Sequence, residues 1–368
     1  MATGWIASRE WEIEQPQTLL QETPAALRFR AGPATGTPKI AVVIVNYCQW
    51  KNTARLTELL LESELVRQGS AEIVIVDNDS PDDRAARPLR RLSHVSIEQS
   101  ARNIGFAKAV NHGAMIHKSD WVLLLNPDVS VPKGFLDSVL EAGDALTALD
   151  PRTGVIGLQL RNPDGSKQAS TGPFPTLFRT VMGLFSPRSR RKCQHQNLQS
   201  RQRVPWVTGG CLLVRRDCFE QLNGLDESFF LYYEDVDFCQ RATQHGWSIW
   251  YAPELCAVHH FPLHTRQVPA PLRLITRHAL LTYAQKHWGK WQQRFLCGLI
   301  SLEAIVRQTA ARCRNESVPA ACYEQLRLLV NDMRHDRDVA ARLRFAAEFL
   351  HESAASNDGK TEPQEQMK

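Results

Sequence analysis

Three short apolar segments constrain the fold of this chain more than any other feature. They are Ile40-Ala-Val-Val-Ile-Val45, Glu72-Ile-Val-Ile-Val-Asp77 and Trp121-Val-Leu-Leu-Leu-Asn126. Each has the length of a strand and an almost entirely apolar interior, which is typical of strands buried on both faces of a parallel sheet. The sequence therefore predicts an α/β fold in which helices cover a mostly parallel, Rossmann-like sheet.

Amphipathic patterns between these segments predict the covering helices. Leu56, Leu59 and Leu60 fall at helical spacing, and we expect Gly69 to close that helix. A second pattern begins at Phe106 and continues through Val110 and Ala114, with His117 as a further candidate position. The alternation of strand and helix patterns is the order expected of a parallel sheet.

Polar residues end each apolar segment. Asn46 follows the first, Asp77-Asn-Asp-Ser-Pro81 ends the second and Asn126-Pro-Asp128 ends the third. One interpretation is simple turns, because Asn, Asp, Ser and Pro are turn formers. We favour a ligand site, because the second and third strands both end on Asn/Asp groups and open α/β sheets bind ligands at the carboxyl ends of their strands.

A cluster of three carboxylates begins another helical pattern. Glu234, Asp235 and Asp237 follow the aromatic run Phe229-Phe-Leu-Tyr-Tyr233, and the pattern ends near Gly246. A charged first turn is one interpretation, since carboxylates are favoured at a helix N-terminus. A catalytic carboxylate is the other.

In order and spacing, residues 38 to 290 resemble the family 2 inverting nucleotide-sugar glycosyltransferases, which have the A-type fold. Among them the chain looks most like the bacterial rhamnosyltransferase-type members. The motifs that carry the resemblance are Val42-Val-Ile-Val-Asn-Tyr47, Val76-Asp-Asn-Asp-Ser80, Asn103-Ile-Gly105 with the helix behind it, Leu125-Asn-Pro-Asp-Val129, Trp206-Val-Thr-Gly-Gly210, Gly224-Leu-Asp-Glu-Ser-Phe-Phe230, Tyr233-Glu-Asp-Val-Asp237, Arg241, Gly246, Tyr251-Ala-Pro253 and His259-His260.

The resemblance implies a nucleotide-sugar donor and a divalent cation, Mg²⁺ or Mn²⁺. Asp128 is the one carboxylate of a motif usually written Asp-x-Asp, and a carboxylate oxygen suits either ion. The resemblance also places a metal-ligating histidine after a later strand, where we expect His259, with His260 as the alternative. The expected donor-binding residues are Asn46, Asp77, Asn103, Gly105, Asn126 and Asp128.

The resemblance implies that Asp235 is the catalytic base, which takes the proton of the attacking acceptor hydroxyl. Glu234 and Asp237 then support it. Trp206, Gly209 and Gly210 are expected on the acceptor or sugar side. Gly105 should let the backbone approach the donor closely, and the helix N-terminus behind it should favour the diphosphate.

The implied activity is inverting transfer of a sugar, preferably rhamnose from dTDP-rhamnose, to a glycan, glycolipid or polyprenyl-linked acceptor in cell-surface polysaccharide biosynthesis. A catalytically degenerate sugar-nucleotide-binding subunit is an alternative, which the retained carboxylates disfavour. A nucleotidyltransferase is disfavoured because Asn46-Tyr-Cys-Gln-Trp-Lys51 lacks a glycine-rich triphosphate loop.

The expected organisation is an N-terminal extension (1–37), a catalytic domain (38–290), a helical C-terminal region (291–352) and a disordered tail (353–368). Within the helical region, the apolar stretch from Phe295 to Ile305 is expected to pack on the catalytic domain or to lie on a membrane surface.

Composition adds further expectations. A net charge of +5 over 368 residues is mild and does not indicate nucleic-acid binding. Nine scattered cysteines, with no metal-type spacing and no signal peptide ahead of them, favour reduced thiols in the cytoplasm. The basic segment from Arg188 to Arg203 is either a solvated loop or a contact with anionic lipid headgroups or an acceptor diphosphate, and lipid contact would place the protein at the inner face of the membrane.

Overall fold

A ten-stranded mixed sheet forms the centre of the computed structural model, which describes residues 27–30, 37–81, 83–183, 198–261 and 268–358. The strand order is β1-β4-β3-β2-β5-β11-β7-β12-β6, with β9 paired to β12, and β8 and β10 form a separate pair. The strands are β1 Leu27–Arg30, β2 Ile40–Asn46, β3 Ala71–Asp77, β4 Val95–Gln99, β5 Trp121–Leu125, β6 Val129–Ser130, β7 Thr153–Arg161, β8 Thr171–Gly172, β9 Gln202–Arg203, β10 Trp206–Val207, β11 Cys211–Arg215 and β12 Ser248–His259.

Helices cover the sheet and continue beyond it at the C-terminal end. They are α1 Trp50–Leu61, α2 Glu64–Arg67, α3 Ala86–Leu89, α4 Phe106–Ala114, α5 Phe135–Leu149, α6 Leu177–Gly183, α7 Arg216–Gln221, α8 Glu234–Gln244, α9 Ala270–His287, α10 Lys290–Cys313, α11 Ser317–Arg334 and α12 Ala340–Asp358. None of the helices in the described ranges combines the length and apolar character needed to cross a membrane.

The predicted α/β fold with a parallel run of strands is confirmed. Strands β4, β3, β2 and β5 are parallel neighbours, and every residue of β2, β3 and β5 is buried. Asn46 pairs with Asp77 in the register of β2 and β3, so the polar ends of the strands lie side by side. Strand β4 was not singled out from the sequence, because Ser96 and Glu98 interrupt its apolar pattern.

Strand β11 brings a later part of the chain to the same edge. It runs antiparallel between β5 and β7, with Cys211 opposite Leu125. Because the strand runs antiparallel, the residues that precede it, Gly209 and Gly210, lie where β5 ends. The sheet therefore gathers the polar ends of β2, β3 and β5 and the Gly209-Gly210 pair along one edge.

The C-terminal helices form a core of their own, and that core begins at α9. Ala270, Leu274, Leu281, Leu296 and Leu329 are buried within it. The segment Phe230-Leu-Tyr-Tyr233, directly before α8, packs against the same core. The C-terminal helices therefore support the segment that leads into the carboxylate cluster.

Two predicted boundaries differ from the structure. Helix α1 ends at Leu61 and the short α2 follows, so Gly69, at φ +71°, closes α2 rather than α1. Helix α12 runs to Asp358, into the tail expected to be disordered. Alanines in His351-Glu-Ser-Ala-Ala-Ser356 have high helix propensity, which accounts for the extension. Most of the N-terminal extension, residues 188–197 of the basic segment, and residues 359–368 of the tail lie outside the described residues.

Candidate functional site

The turn after β3 is held by the end of β2. The Asn46 amide donates to Asp77 Oδ1 at 2.8 Å and to Ser80 Oγ at 3.0 Å, and it accepts from Thr53 Oγ1 at 2.7 Å. Asn46 is fully buried. Its hydrogen-bonding groups are used inside the protein, where it positions Asp77.

The Asp77 carboxylate lies just beneath the surface of this turn. It is 1% exposed, and the Ser80 backbone N–H donates to Oδ2 at 3.3 Å. Burial raises the pKa of Asp77, and hydrogen bonds from Ser80 and Asn46 oppose that shift. Asp79, by contrast, is exposed and has a left-handed φ of +71°. Of the two carboxylates in residues 77–80, Asp79 is the one that solvent reaches.

Asn78 joins this turn to the loop before α4. Its amide donates to Asn103 Oδ1 at 2.9 Å and to the Gly105 carbonyl at 3.3 Å, and it accepts from the Ile104 N–H at 2.8 Å. Asn103 in turn accepts from the Gly105 N–H at 3.0 Å. The structure thus brings Asn103 and Gly105 beside Asp77, as the sequence motifs predicted.

The reason for glycine at position 105 differs from the one expected. Gly105 has φ +88°, and a Cβ there would lie 2.8 Å from the Phe230 carbonyl oxygen. The Phe106 N–H donates to that same carbonyl at 2.6 Å. The backbone that closely approaches Gly105 is therefore that of Phe230 in the same chain. This contact fixes the start of α4 to the segment before α8.

Asp128 and His259 face each other across the sheet edge. His259 Nε2 lies 3.3 Å from Asp128 Oδ2. His260 points elsewhere: its Nε2 lies 2.8 Å from Ser130 Oγ, while its N–H donates to the Asp128 carbonyl. Of the two adjacent histidines, His259 is the one with a ring nitrogen at the Asp128 carboxylate.

Gln168 fixes the tautomer of His259. Its Nε2 donates to the backbone carbonyls of His259 at 2.8 Å and Arg161 at 3.2 Å, which leaves Oε1 facing His259 Nδ1 at 3.1 Å. Because Oε1 can only accept, Nδ1 carries a proton, and in the neutral ring Nε2 then presents its lone pair to Asp128. A lone pair and a carboxylate at this distance repel each other unless a cation or a proton lies between them.

This donor pair fits a divalent cation. Cis ligands of an octahedral ion, each about 2.1 Å from it, lie about 3 Å apart, close to the observed separation. Carboxylate and imidazole both suit Mn²⁺, and a ligating histidine ordinarily donates its other N–H to a neighbouring acceptor, as His259 does. Within the described part of the chain, no three His, Cys, Asp or Glu side chains form a complete metal site. The remaining ligands would come from substrate and water.

Asp235 lies on the other side of the Gly209-Gly210 pair. The Gly209 N–H donates to Asp235 Oδ2 at 3.0 Å, and Asp235 is 4% exposed. A Cβ on Gly209 would lie 3.5 Å from Asp235 Cβ, and one on Gly210 would lie 3.7 Å from Asn126 Nδ2 and 3.9 Å from His259 Cε1. Gly209 therefore lies next to the candidate base, and the adjacent Gly210 lies near Asn126 and the candidate metal ligand His259.

The segment that carries Asp235 has an unusual backbone. Tyr232 and Tyr233 have φ values of +74° and +68°, a conformation that non-glycine residues rarely adopt. Such strain persists only where surrounding contacts impose it, and it is common at functional sites. Here the Tyr233 ring packs 5.6 Å from that of Tyr283 on α9.

Asp237 anchors α8 and is fully buried. It accepts from Arg241 Nε at 2.7 Å, and His287 Nε2 lies 2.8 Å from its other oxygen. Arg241 also donates to the carbonyls of Leu222 and Gly224. Asp237, which is expected to support Asp235, thus links α8 to α9 and to the loop before α8. Glu234, at the first position of α8, is buried beside it.

Trp206, which is expected on the acceptor or sugar side, lies in the core of the domain. Its side chain is fully buried among core residues, and the indole N–H donates to the Pro173 carbonyl at 3.0 Å. Two residues important to the site, Gln168 and His287, were missed from the sequence. Each acts on a residue at least 50 positions away, so no local pattern marks it.

The sequence is similar to known proteins over most of its length. The model of the family "Glycosyl transferase family 2" matches residues 41–222, and that of "Glycosyl transferase family group 2" matches residues 167–328. An N-acetylglucosaminyl-diphospho-decaprenol L-rhamnosyltransferase of Mycobacterium tuberculosis is 31% identical over 308 residues, which cover 77% of this chain and 97% of the relative. The rhamnosyltransferase WbbL of Escherichia coli is 27% identical over 147 residues, 38% of this chain and 52% of that protein.

The fold also matches a solved structure. The crystal structure of GalNAc-T7 with UDP, GalNAc and Mn²⁺ superposes with a TM-score of 0.50 at 15% identity, covering 88% of this chain and 58% of that one. A likeness at this level of identity concerns the fold alone. With the observed sheet and helices, it confirms the expected A-type architecture with a helical C-terminal region.

Proposed function

The chain belongs to glycosyl transferase family 2, and on that premise we propose that it transfers L-rhamnose from dTDP-rhamnose to a sugar on a polyprenyl diphosphate. That the protein is a glycosyltransferase, and that transfer inverts the anomeric centre, follow from the family and its rhamnosyltransferase relatives. The choice of donor and acceptor is supported by the relative from M. tuberculosis, whose name specifies both a rhamnosyl group and a decaprenyl diphosphate.

One structural observation supports this proposal above the others. Gly209 donates its backbone N–H to Asp235, and the next residue, Gly210, accepts from the Asn126 backbone N–H. A Cβ on Gly210 would lie 3.9 Å from His259 Cε1. Inverting displacement needs a base on the acceptor side of the anomeric carbon and positive charge at the leaving diphosphate on the opposite side. Near the Gly209-Gly210 segment, Asp235 is the candidate base, and Asp128 and His259 are the candidate ligands of the cation.

In this proposal the donor lies along the carboxyl ends of β2, β3 and β5. The base of the nucleotide lies over the turn of residues 77–80, where Asp77 is held by Asn46 and Asp79 is exposed. Asn103 lies beside it through the Asn78 amide. Asn126 and Asp128, at the end of β5, face the ribose and diphosphate.

Asp128 and His259 would hold the divalent cation. When bound, the cation offsets the charge that develops on the departing nucleoside diphosphate. The chain's own contribution is to fix the ligands: Gln168 orients the His259 ring and leaves its Nε2 lone pair available. Asn126 keeps its position through its N–H bond to the Gly210 carbonyl at 3.1 Å.

Asp235 would act on the acceptor. As the acceptor oxygen bonds to the anomeric carbon and the bond to the diphosphate breaks, the hydroxyl proton passes to the Asp235 carboxylate. The Gly209 N–H at Oδ2 and the Val236 N–H at Oδ1 hold that carboxylate in place. Asp237 and its links to Arg241 and His287 keep α8 in register with the rest of the site.

The Gln168→Met variant tests the orienting role of Gln168. Methionine fills a similar volume but offers no strong acceptor to the His259 Nδ1 proton, so the ring loses its fixed tautomer. We expect the affinity for Mn²⁺, measured by calorimetry in the presence of dTDP, to fall about 10- to 100-fold.

Gln308→Met is the matched control for this variant. Gln308 is also a buried glutamine, but it bonds to Glu324 between α10 and α11. The Gln308→Met substitution should therefore leave the affinity for Mn²⁺ unchanged. Equal losses in both variants, or none in Gln168→Met, would remove Gln168 from the account.

A thermal-shift screen tests the donor assignment. A ligand that binds the folded state raises apparent stability by mass action, so the true nucleotide should give the largest shift. We expect dTDP and dTDP-rhamnose with Mn²⁺ to exceed UDP, GDP and their sugars. A larger shift with another nucleotide would reassign the donor and leave the family intact.

A further inference from the structure

Helix α10 has two apolar faces on opposite sides. Leu296, Ile300 and Ala304 lie on the face that packs into the C-terminal core. The opposite side carries the outer stripe, which we define as Trp291, Phe295, Leu302, Ile305 and Val306; these side chains are between 47% and 68% exposed. At about 100° per residue, the stripe occupies a sector roughly 100° wide and runs about 23 Å along the helix.

Another exposed apolar pair lies near the start of this stripe. Phe178 and Met182, one turn apart on α6, are 74% and 49% exposed. The Trp288 indole N–H donates to the Pro175 carbonyl at 3.1 Å, which ties the segment before α6 to the residues just before α10. Exposed apolar groups on two neighbouring elements indicate an interaction surface rather than isolated surface residues.

The charges around the outer stripe are positive. Lys290 and Arg294 on α10 are exposed, as is Arg179 on α6, while the exposed Arg312 is paired with Glu324 at 3.3 Å. The acidic residue of α10, Glu303, is engaged by Arg273, Arg277 and Arg307. Aromatic and aliphatic residues bordered by lysine and arginine are the pattern of a helix that lies in the interface of an anionic membrane.

A second copy of the chain is a poorer partner for the same surface. A two-fold contact would place this patch against itself and bring one set of exposed cations against another. Like charges facing across an interface oppose association. An anionic bilayer satisfies both the apolar stripe and its cationic border.

We propose that the outer stripe of α10, with Phe178 and Met182 of α6, docks the protein on an anionic membrane surface. The docking face is connected to the site. Pro173, which accepts the Trp206 N–H, and Pro175, which accepts the Trp288 N–H, belong to one short segment. Docking would hold the protein at the surface on which a lipid-linked acceptor is presented, a consequence that rests on the proposed function.

The test is co-sedimentation of the full chain with vesicles, in the absence of donor and acceptor. We expect binding to vesicles of phosphatidylcholine and phosphatidylglycerol, with much weaker binding to pure phosphatidylcholine. The triple variant Trp291→Gln, Phe295→Gln, Ile305→Gln should lower the partition coefficient at least tenfold. Substituting exposed side chains should leave the melting temperature close to that of the parent chain.

The control is the double variant Met115→Gln, Leu149→Gln, which removes two apolar side chains exposed elsewhere, at 82% and 70%. It should bind anionic vesicles like the parent chain. Failure of the parent chain to bind, equal binding by the triple variant, or a dimer in solution that only the triple variant abolishes would overturn the proposal. Vesicle binding without any sugar transfer would instead count against the proposed function alone.

Discussion

Asp235→Asn should lower the turnover number by about 10²- to 10⁴-fold while the dissociation constant of the nucleotide sugar changes little. An amide cannot take up the acceptor proton, although it has the same size as the carboxylate. The donor position proposed above is at Asn126 and Asp128 rather than at Asp235, so donor binding should be spared. The measurement is single-turnover transfer together with donor binding by calorimetry.

Glu234→Gln is the matched control, because Glu234 is the neighbouring buried carboxylate on α8. It should lose less activity than Asp235→Asn. Both oxygens of the Asp235 carboxylate accept a backbone N–H, from Gly209 and from Val236, so the Asn variant must place its NH2 group against one of them, and its melting temperature should be recorded beside its kinetics. Near-normal turnover in Asp235→Asn, or a greater loss in Glu234→Gln, would move the base to another carboxylate.

Asp128→Ala should abolish the Mn²⁺-dependent rise in melting temperature that a nucleoside diphosphate produces. Asp128 supplies the carboxylate of the candidate ligand pair, with His259 Nε2 at 3.3 Å. Losing a direct ligand should lower Mn²⁺ affinity by at least the roughly 100-fold associated with its outer partners. The measurement is the melting temperature with dTDP, with and without Mn²⁺.

The adjacent histidines supply a matched pair of controls. His259→Ala should behave like Asp128→Ala. His260→Ala should retain the Mn²⁺-dependent shift, because its ring faces Ser130 rather than the Asp128 carboxylate. An undiminished shift in Asp128→Ala, or a loss confined to His260→Ala, would contradict the assignment of the metal ligands.

The sheet was predictable because its central strands are apolar throughout. Segments such as Ile40–Val45, apolar throughout, are typical of strands buried on both faces of a covered parallel sheet, and parallel strands place Asn46, Asp77 and Asn126 at one edge. Strand β11 was harder to predict: its antiparallel course depends on pairing with β5 and β7 rather than on its own composition.

The sequence predicted which residues lie at the site better than it predicted what each residue does there. Motif spacing indicated Gly105 and Trp206, but their structural reasons depend on Phe230 and Pro173, which come from distant parts of the chain. Gln168 had no local signal at all, since a single glutamine in a loop is unremarkable until His259 is packed beside it. Residue type predicts which chemistry is possible, and tertiary contacts decide which atoms are available for it.

The choice between His259 and His260 shows the same limit. The two residues are adjacent and of the same type. His259 is the last residue of β12, and His260 follows it directly. Alternation along the strand sends the two rings to opposite sides, and only the pairing of β12 with β6 fixes which ring meets Asp128. That pairing involves a two-residue strand, too short to be recognised from its sequence.

The most direct test of the account is the stereochemistry and metal dependence of transfer itself. The purified chain would be incubated with dTDP-rhamnose, Mn²⁺ and a short-chain N-acetylglucosaminyl-diphospho-prenol, and the anomeric configuration of the product determined by NMR. We predict a product whose configuration is opposite to that of the donor, formed only with the cation and lost in Asp235→Asn. A product that retains the donor's configuration would contradict the single displacement with Asp235 as its base.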